Sequence, residues 1–246
     1  MLIDTHCHLF MDPLYGNVEG VLQRALESGV GAVVVPSVEV DSWEKTIELS
    51  KHPAVYPALG LHPWNAFEKL AKSSGSVAIG EIGLDFRIEN PRMDNQIEIF
   101  RTQLDLASEL ELPVILHCRG AFEELLGILS EKKYNGSIKG VVHAFTRGIQ
   151  LAERFLDLGF YLAFGGAVTR PGAKRARKSA ASVPLSRIVL ETDAPSIGMH
   201  GIEPERVEPA DVVKVLESLA ELRGIDIEEA AAATTSNAEE LFGIRI

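Results

Sequence analysis

Only two cysteines, Cys7 and Cys118, occur in this 246-residue chain. That is too few for a disulfide framework, and both stand beside histidines, so they read as reduced thiols in a cytoplasmic protein. No apolar run is long enough to span a membrane. The chain enters an apolar strand pattern at Met1–Thr5, which leaves no room for a signal peptide in the sequence as it stands. Positive charge is in deficit: 24 Lys and Arg against 35 Asp and Glu give a net charge of −11. A protein that coats nucleic acid electrostatically is thereby excluded, and a polyanionic substrate would need a local positive site such as bound divalent cations. Ser/Pro/Gly-rich linkers, low-complexity tracts and short repeats are also missing, as are a glycine-rich phosphate loop after the first strand and any evident Ser/His/Asp nucleophile.

What is present is a regular alternation. Hydrophobic residues make up 46% of the sequence, enough for a full core, and short apolar runs are each followed by a helical pattern. Strands are expected at Met1–Thr5, Gly31–Pro36, Val55–Gly60, Val77–Glu81, Pro113–His117, Gly140–Ala144, Phe160–Phe164 and Arg187–Glu191. Ile97, Phe100, Leu104, Ala107 and Leu110 form one apolar stripe at spacings of three and four, a long helix after strand four. A short helix is expected over Phe67–Lys72 and a basic one over Pro171–Ala180. Capping-box spacings stand at Asp41/Glu44 and at Asp226/Glu229. Near-continuous apolar strands are those of a parallel sheet covered on both sides. Eight such units in a chain of about 250 residues predict a single (β/α)8 barrel domain over 1–246, an α/β TIM barrel, rather than a doubly wound open sheet.

Functional side chains of such barrels lie at the C-terminal ends of the strands. Here those ends carry His6 and His8, His62, Glu81, His117, His143 and Asp193, so five of the seven histidines fall there. Four imidazoles and two carboxylates (His6, His8, His117, His143, Glu81 and Asp193) exceed the needs of one catalytic zinc and suit two divalent ions sharing a carboxylate; Zn, Mn and Mg are all chemically admissible. Alternation along a strand turns Cys7 and Cys118 away from the ligands and puts Asp85 on the face of Glu81, and Arg119 on that of His117. Asp4 and Glu191 are expected one layer deeper, as acceptors for ligand imidazoles or as members of buried ion pairs. Phe10, Trp64, Phe86 and Phe145 follow strands near the mouth as candidate base-stacking residues. Arg170, Lys174, Arg175, Arg177 and Lys178 form a basic run at the rim, read either as a phosphate-backbone contact or as a solvated helix face.

Asp4-Thr5-His6-Cys7-His8, Gly60-Leu61-His62-Pro63, Gly80-Glu81-Ile82-Gly83-Leu84-Asp85, Leu116-His117-Cys118-Arg119, His143-Ala144-Phe145 and Glu191-Thr192-Asp193-Ala194-Pro195, with the closing Asn237–Phe242, resemble in order the motifs of the TatD family of metal-dependent hydrolases. The resemblance implies a TIM-barrel metallohydrolase of the deoxyribonuclease type with 3′→5′ exonuclease activity, acting on single-stranded DNA ends and needing neither a membrane nor an obligate protein partner. It puts one metal on His6, His8, Glu81 and Asp193 and a second on Glu81, His117 and His143. It also sets His62 and Arg119 near the substrate phosphate; Asp85, by alternation, faces the mouth as a substrate contact or a support behind the ligands, and the mechanism that follows makes Asp193, with the bridging Glu81, catalytic. Where the family often has Asn-x-Pro, this chain reads Val207-Glu208-Pro209. Two rivals stand beside this reading: a metallohydrolase of carboxyl esters or amides, small or carried on tRNA, and a non-catalytic metal-bound scaffold.

Overall fold

The computed structural model describes residues 1–60 and 75–246. His62, Trp64 and the helix expected over Phe67–Lys72 lie outside the described residues.

Eight parallel strands alternate with helices. Strands β1 (Leu2–Asp4), β2 (Val30–Pro36) and β3 (Val55–Ala58) pair in sequence order. Strands β4 (Ile79–Asp85), β5 (Val114–Arg119), β6 (Gly140–Val142), β7 (Tyr161–Phe164) and β8 (Ile188–Leu190) form a second run in the same order. Two parallel bridges, Ala58 with Ala78 and Cys7 with Ala194, join the three-stranded arc to the five-stranded one. The second seam is reinforced beyond the strands, where Thr5 N–H donates to Leu190 O, Asp193 N–H to His6 O and His8 N–H to Ala194 O at 2.8–3.0 Å. The result is a closed (β/α)8 barrel.

Among the described residues the α-helices are α1 (Val18–Glu27), α2 (Val40–Leu49), α3 (Met93–Leu110), α4 (Phe122–Leu129), α5 (Ile149–Asp157), α6 (Lys174–Ser182), α7 (Val212–Arg223) and α8 (Ile227–Phe242). The expected stripe on α3 is the face it buries: Phe100, Leu104 and Ala107 are fully covered, and Ile97 and Leu110 pack at the edge. Each large apolar side chain covered this way stabilises the fold by about 1.5–3 kcal/mol. A smaller apolar cluster contains Ile115, Val141, Ala163 and Val189 of successive strands. It is completed by Ala238, Leu241, Phe242 and Ile244 at the end of α8, so the closing segment plugs the barrel floor. Asn237 fixes that plug, donating from Nδ2 to Leu185 O at 2.8 Å and Ile188 O at 2.7 Å.

Several boundaries differ from the sequence pattern. Helix α2 begins two residues before the expected box: Glu39 is its N-cap, and Ser42 Oγ accepts the Glu39 N–H at 3.2 Å. Ser42 stands three residues after this cap, the spacing a capping box needs, whereas Glu44 stands five after it. At α8, Asp226 is the N-cap but makes no side-chain capping bond; Glu228 and Glu229 still place negative charge on the first turn. The greatest difference is β4, which continues through Asp85 and carries a register shift between Ile79 and Ile82. Ile79, Ile82 and Leu84 all pack toward the helices. The shift therefore moves Glu81, Gly83 and Asp85 to the opposite face, which simple alternation from Ile79 would not have done.

Candidate metal centre

The C-terminal ends of β1, β4, β5, β6 and β8 place six side chains together. Glu81 stands at the centre. Its Oε2 lies 3.3 Å from His6 Nε2 and 3.8 Å from His8 Nε2. Its other oxygen, Oε1, lies 2.9 Å from His117 Nδ1 and 3.0 Å from His143 Nε2. Asp193 Oδ1 closes the first group, 3.4 Å from His8 Nε2 and 3.8 Å from His6 Nε2. His6 and His8 point their Nε2 atoms at a common region, 3.3 Å apart, and His117 Nδ1 is 3.1 Å from His143 Nε2. The rings of His6 and His143 stack at 4.3 Å.

These spacings can be tested against a cation. Nitrogen and oxygen ligands about 2.0–2.1 Å from a tetrahedral ion lie roughly 3.3–3.4 Å from one another. At an octahedral right angle the same bond lengths give roughly 2.9 Å. In the first group the separations of 3.3–3.4 Å fit the larger spacing and two of 3.8 Å exceed it; those of the second, 2.9–3.1 Å, fit the smaller. Three sets of ligand atoms each lie within 4.8 Å of one another: His6, His8 and Glu81; Glu81, His117 and His143; and His6, His143 and Asp193. The donor set therefore fits divalent-cation binding.

The neighbours orient these rings. His8 Nδ1 is 3.0 Å from Pro36 O, so a proton sits there and Nε2 is the atom turned to the cluster. His117 Nε2 is 3.3 Å from Asp85 Oδ2, which turns Nδ1 toward Glu81. Asp85 is fully buried and held in turn: its Oδ1 accepts from Arg87 N–H at 2.8 Å and lies 3.3 Å from Arg119 Nε. Gln96 of α3 brackets its backbone, accepting from Asp85 N–H at 2.8 Å and donating to Asp85 O at 2.9 Å. Asp85 thus acts through His117. Arg119 stays exposed at the mouth and lines the same cavity of about 360 Å³ as His117, His143, Asp193 and Ser196.

Among the described residues neither Asp4 nor Glu191 makes a hydrogen bond or close ion pair to a ligand imidazole; each holds backbone N–H groups, and the buried Glu191 carboxyl acts on His143 only through its charge. Asp4 Oδ1 accepts from Thr192 N–H at 2.9 Å and His6 N–H at 3.3 Å, while Oδ2 accepts from Thr192 Oγ1 at 2.6 Å. It is a clasp between the first and last strand ends; among the described residues no imidazole or cationic side chain bonds to it. Glu191 Oε1 accepts from Ala144 N–H at 2.6 Å. Ala144 and Asp193 both have positive φ, 47° and 54°, a region in which non-glycine residues cost energy. Glu191 therefore fixes the strained turn that follows His143. Burial pushes the carboxyl of Asp4 up to about 7 and that of Glu191 up to about 8.

Electrostatics separate the remaining groups. Burial, with the positive His143 alongside, pushes His6 down to about 4. Burial also opposes charge on His143 and His8, but Glu81 outweighs it at the first, up to about 10, and Asp193 outweighs it at the second. Burial opposes charge on Asp193 too, yet His8, His6 and His143 hold it below the usual carboxylate range. Asp193 is therefore an ionised acceptor. Both thiols are raised by burial, Cys118 to about 12, and Cys7 Sγ faces Ala194 O at 3.6 Å.

The other candidates sort by packing. Phe10 and Phe145 are buried, Phe10 edge-on to His8 at 5.6 Å and Phe145 against Phe155 and Phe164; neither ring face is open for stacking. The loop 196–208 is tied back: Arg170 donates to Gly198 O, and His200 N–H to Thr169 Oγ1 at 2.8 Å. Val207 is core, and Glu208 forms a two-pronged pair with Arg24 of α1 at 2.6–3.1 Å. At the departure from Asn-x-Pro, this chain makes a packing contact and an outward brace. Thr192, Gln96 and the Pro36 carbonyl were not found from the sequence. The first two carry no metal-ligand signature, and a backbone carbonyl has no residue code.

A closed barrel with a carboxylate shared between two imidazole pairs at its C-terminal mouth defines a metal-dependent hydrolase. The family model of TatD related DNases matches residues 3–243, and the chain belongs to that family. It is 36% identical over 255 residues to the metal-dependent hydrolase YjjV of Escherichia coli K12, covering 98% of each chain. The crystal structure of the E. coli YjjV TatD homologue superposes with a TM-score of 0.92, covering 99% of this chain and 98% of that one. It is also similar, at 35% identity over 91% of this chain and 93% of the other, to the 3′-5′ ssDNA/RNA exonuclease TatD of Erwinia amylovora.

Proposed function

We propose that this chain is one barrel domain that hydrolyses phosphodiester bonds at single-stranded nucleic-acid ends, in the 3′→5′ direction, using two divalent ions. The observation that carries the reading is the division of Glu81: one oxygen toward His6 and His8, the other toward His117 and His143. His6, His8, Glu81 and Asp193 would hold the first ion, and Glu81, His117 and His143 the second. When bound, the ions would supply Lewis acidity at the phosphoryl oxygens and an acidified water. The exonuclease named among the relatives supports the substrate class, and a mixed N/O donor set supports Zn or Mn ahead of Mg.

The chain's own residues supply the rest. Asp193, buried and ionised, is placed to take the proton of the attacking water. Arg119, at the mouth and leaning on Asp85, presents guanidinium N–H groups to phosphoryl oxygens. Asp85 holds the His117 ring, and Glu191 the backbone behind His143. His62 would add a second polar contact to the phosphate. No helix among the described residues is long and apolar enough to cross a membrane.

The test is digestion of end-labelled single-stranded DNA across several divalent ions, beside bis-p-nitrophenyl phosphate and p-nitrophenyl acetate. Metal-dependent shortening from the 3′ end and turnover of the phosphodiester are expected. Turnover of the acetate alone would transfer the site to carboxyl esters.

A further inference from the structure

The sequence carried a basic run whose role the metal centre does not use. The structure divides it. Arg170 is spent on Gly198 O and Arg177 on Val168 O at 2.6 Å. Arg175 and Lys178 are left exposed on α6, making no ion pair among the described residues. They face an open groove of about 990 Å³ whose other basic residues are Arg87, Arg147 and Arg154. Two acids line it, Glu123 and Glu124. Glu123 is consumed by Arg154 at 2.6 and 2.9 Å, which leaves Arg87, Arg147, Arg175 and Lys178 against Glu124 alone. The groove is thus locally positive on a chain of net charge −11.

Its position matters as much as its sign. The groove and the metal-centre cavity share two lining residues, Phe122 and Arg147. The Arg147 guanidinium sits 4.9 Å from the Phe122 ring centroid, so the shared wall offers an aromatic edge and a planar cation. Gly148, Ile149 and Gln150 at the start of α5 also line the groove, and the first turn of that helix has no acidic residue. Its free N–H groups therefore add positive potential.

Deepening the phosphodiesterase reading, and resting on it, we propose that this groove takes the backbone of the single-stranded nucleic acid that continues away from the scissile bond. Phosphates then meet Arg119 at the mouth, Arg147 at the junction, and Arg175 and Lys178 beyond it. The substrate class is an oligonucleotide rather than a mononucleotide diester, because several successive phosphates are needed to reach α6. Positive charge confined to one track lets a strongly acidic protein hold its substrate without binding polyanions elsewhere.

The metal-loaded full chain is compared with the R175A/K178A double variant, both positions being exposed and remote from every proposed ligand. Binding is read by anisotropy with a labelled, hydrolysis-resistant phosphorothioate dodecamer of thymidylate, over a salt series. The wild type should bind the dodecamer more tightly than the matching dinucleotide. The variant should lose roughly tenfold in dodecamer affinity and reduce the salt slope by about 1.4, at about 0.7 for each single-strand phosphate contact. In parallel, kcat/KM should rise with oligonucleotide length in the wild type and flatten in the variant. Turnover of bis-p-nitrophenyl phosphate should stay within twofold. Equal affinity for dodecamer and dinucleotide, or an unchanged variant, overturns the groove and leaves the hydrolase reading standing. A wild type that cleaves neither diester nor oligonucleotide fails the phosphodiesterase reading itself.

Discussion

Replacing Glu81 with glutamine keeps the shape of the side chain and removes one charge. The carboxylate serves two clients with two oxygens, at 3.3 Å from His6 on one side and 2.9–3.0 Å from His117 and His143 on the other. An amide has a single oxygen. Whichever way it is turned, an NH2 group meets one imidazole pair, a donor where a cation needs an acceptor. If two ions share Glu81, as proposed, one should therefore be lost and the other weakened beyond the 10–100-fold typical of losing a supporting partner. Losing one ion removes the clamp on one side of the displacement. Turnover should fall at least about a thousandfold, which is about 4 kcal/mol at 1.36 kcal/mol per decade. Metal content by plasma mass spectrometry and initial rates on bis-p-nitrophenyl phosphate read the two effects, with circular dichroism to establish that the variant is folded. Glu81→Ala should behave alike. Two ions per chain with turnover within tenfold of wild type would refute the shared-carboxylate reasoning.

Gly83→Ala should act at a distance. Its φ is 142° and a Cβ would stand 2.0 Å from His117 O, where ordinary contact begins at 3.4 Å. Strand β5 must retreat by more than an ångström, costing about 3 kcal/mol or more and displacing His117; an unaltered melting temperature and metal content would contradict this. Arg119→Ala should raise KM for diesters by roughly tenfold, the worth of a charged hydrogen bond, with metal content unchanged. Metal uptake should release protons, because His143, held protonated up to about 10 by Glu81 against its own burial, must give its proton up. Apparent affinity should then rise with pH, and calorimetry at neutral pH in buffers of different ionisation enthalpy should find at least one proton released per chain. The sign for stability is the reverse. With its pKa raised from 6.5 to about 10 in the fold, His143 stabilises the metal-free chain fully below 6.5, and that contribution is lost as pH rises through about 10. A metal-free melting temperature that climbs across this interval would count against the His143–Glu81 pairing.

The barrel was legible because its signals are periodic: apolar strands, a single stripe on α3 and eight repeats of one unit. The cluster of candidate ligands was legible because imidazoles at strand ends are poor core residues. What failed to show was of two kinds. Asp4 and Glu191 bind backbone N–H groups, and nothing in a carboxylate's identity tells a backbone partner from a ring. The register shift in β4 depends on pairing between strands distant in sequence, so Glu81 reached its position by a route alternation did not give. The basic run read as five equivalent charges; only packing could show that Arg170 and Arg177 are spent on carbonyls while Arg175 and Lys178 are not.

The two arcs of the barrel meet at seams carried by isolated bridges and single backbone hydrogen bonds rather than by paired strands, one of them running beside His6 and His8. Those two imidazoles belong to the short arc, and Glu81, His117, His143 and Asp193 to the long one. An ion gripped by both sets would work as a rivet across that seam. Chelation should then let the amides of Thr5, His8 and Asp193 exchange with solvent ahead of the strand centres, so the chemistry of the mouth and the closure of the cylinder would fail together.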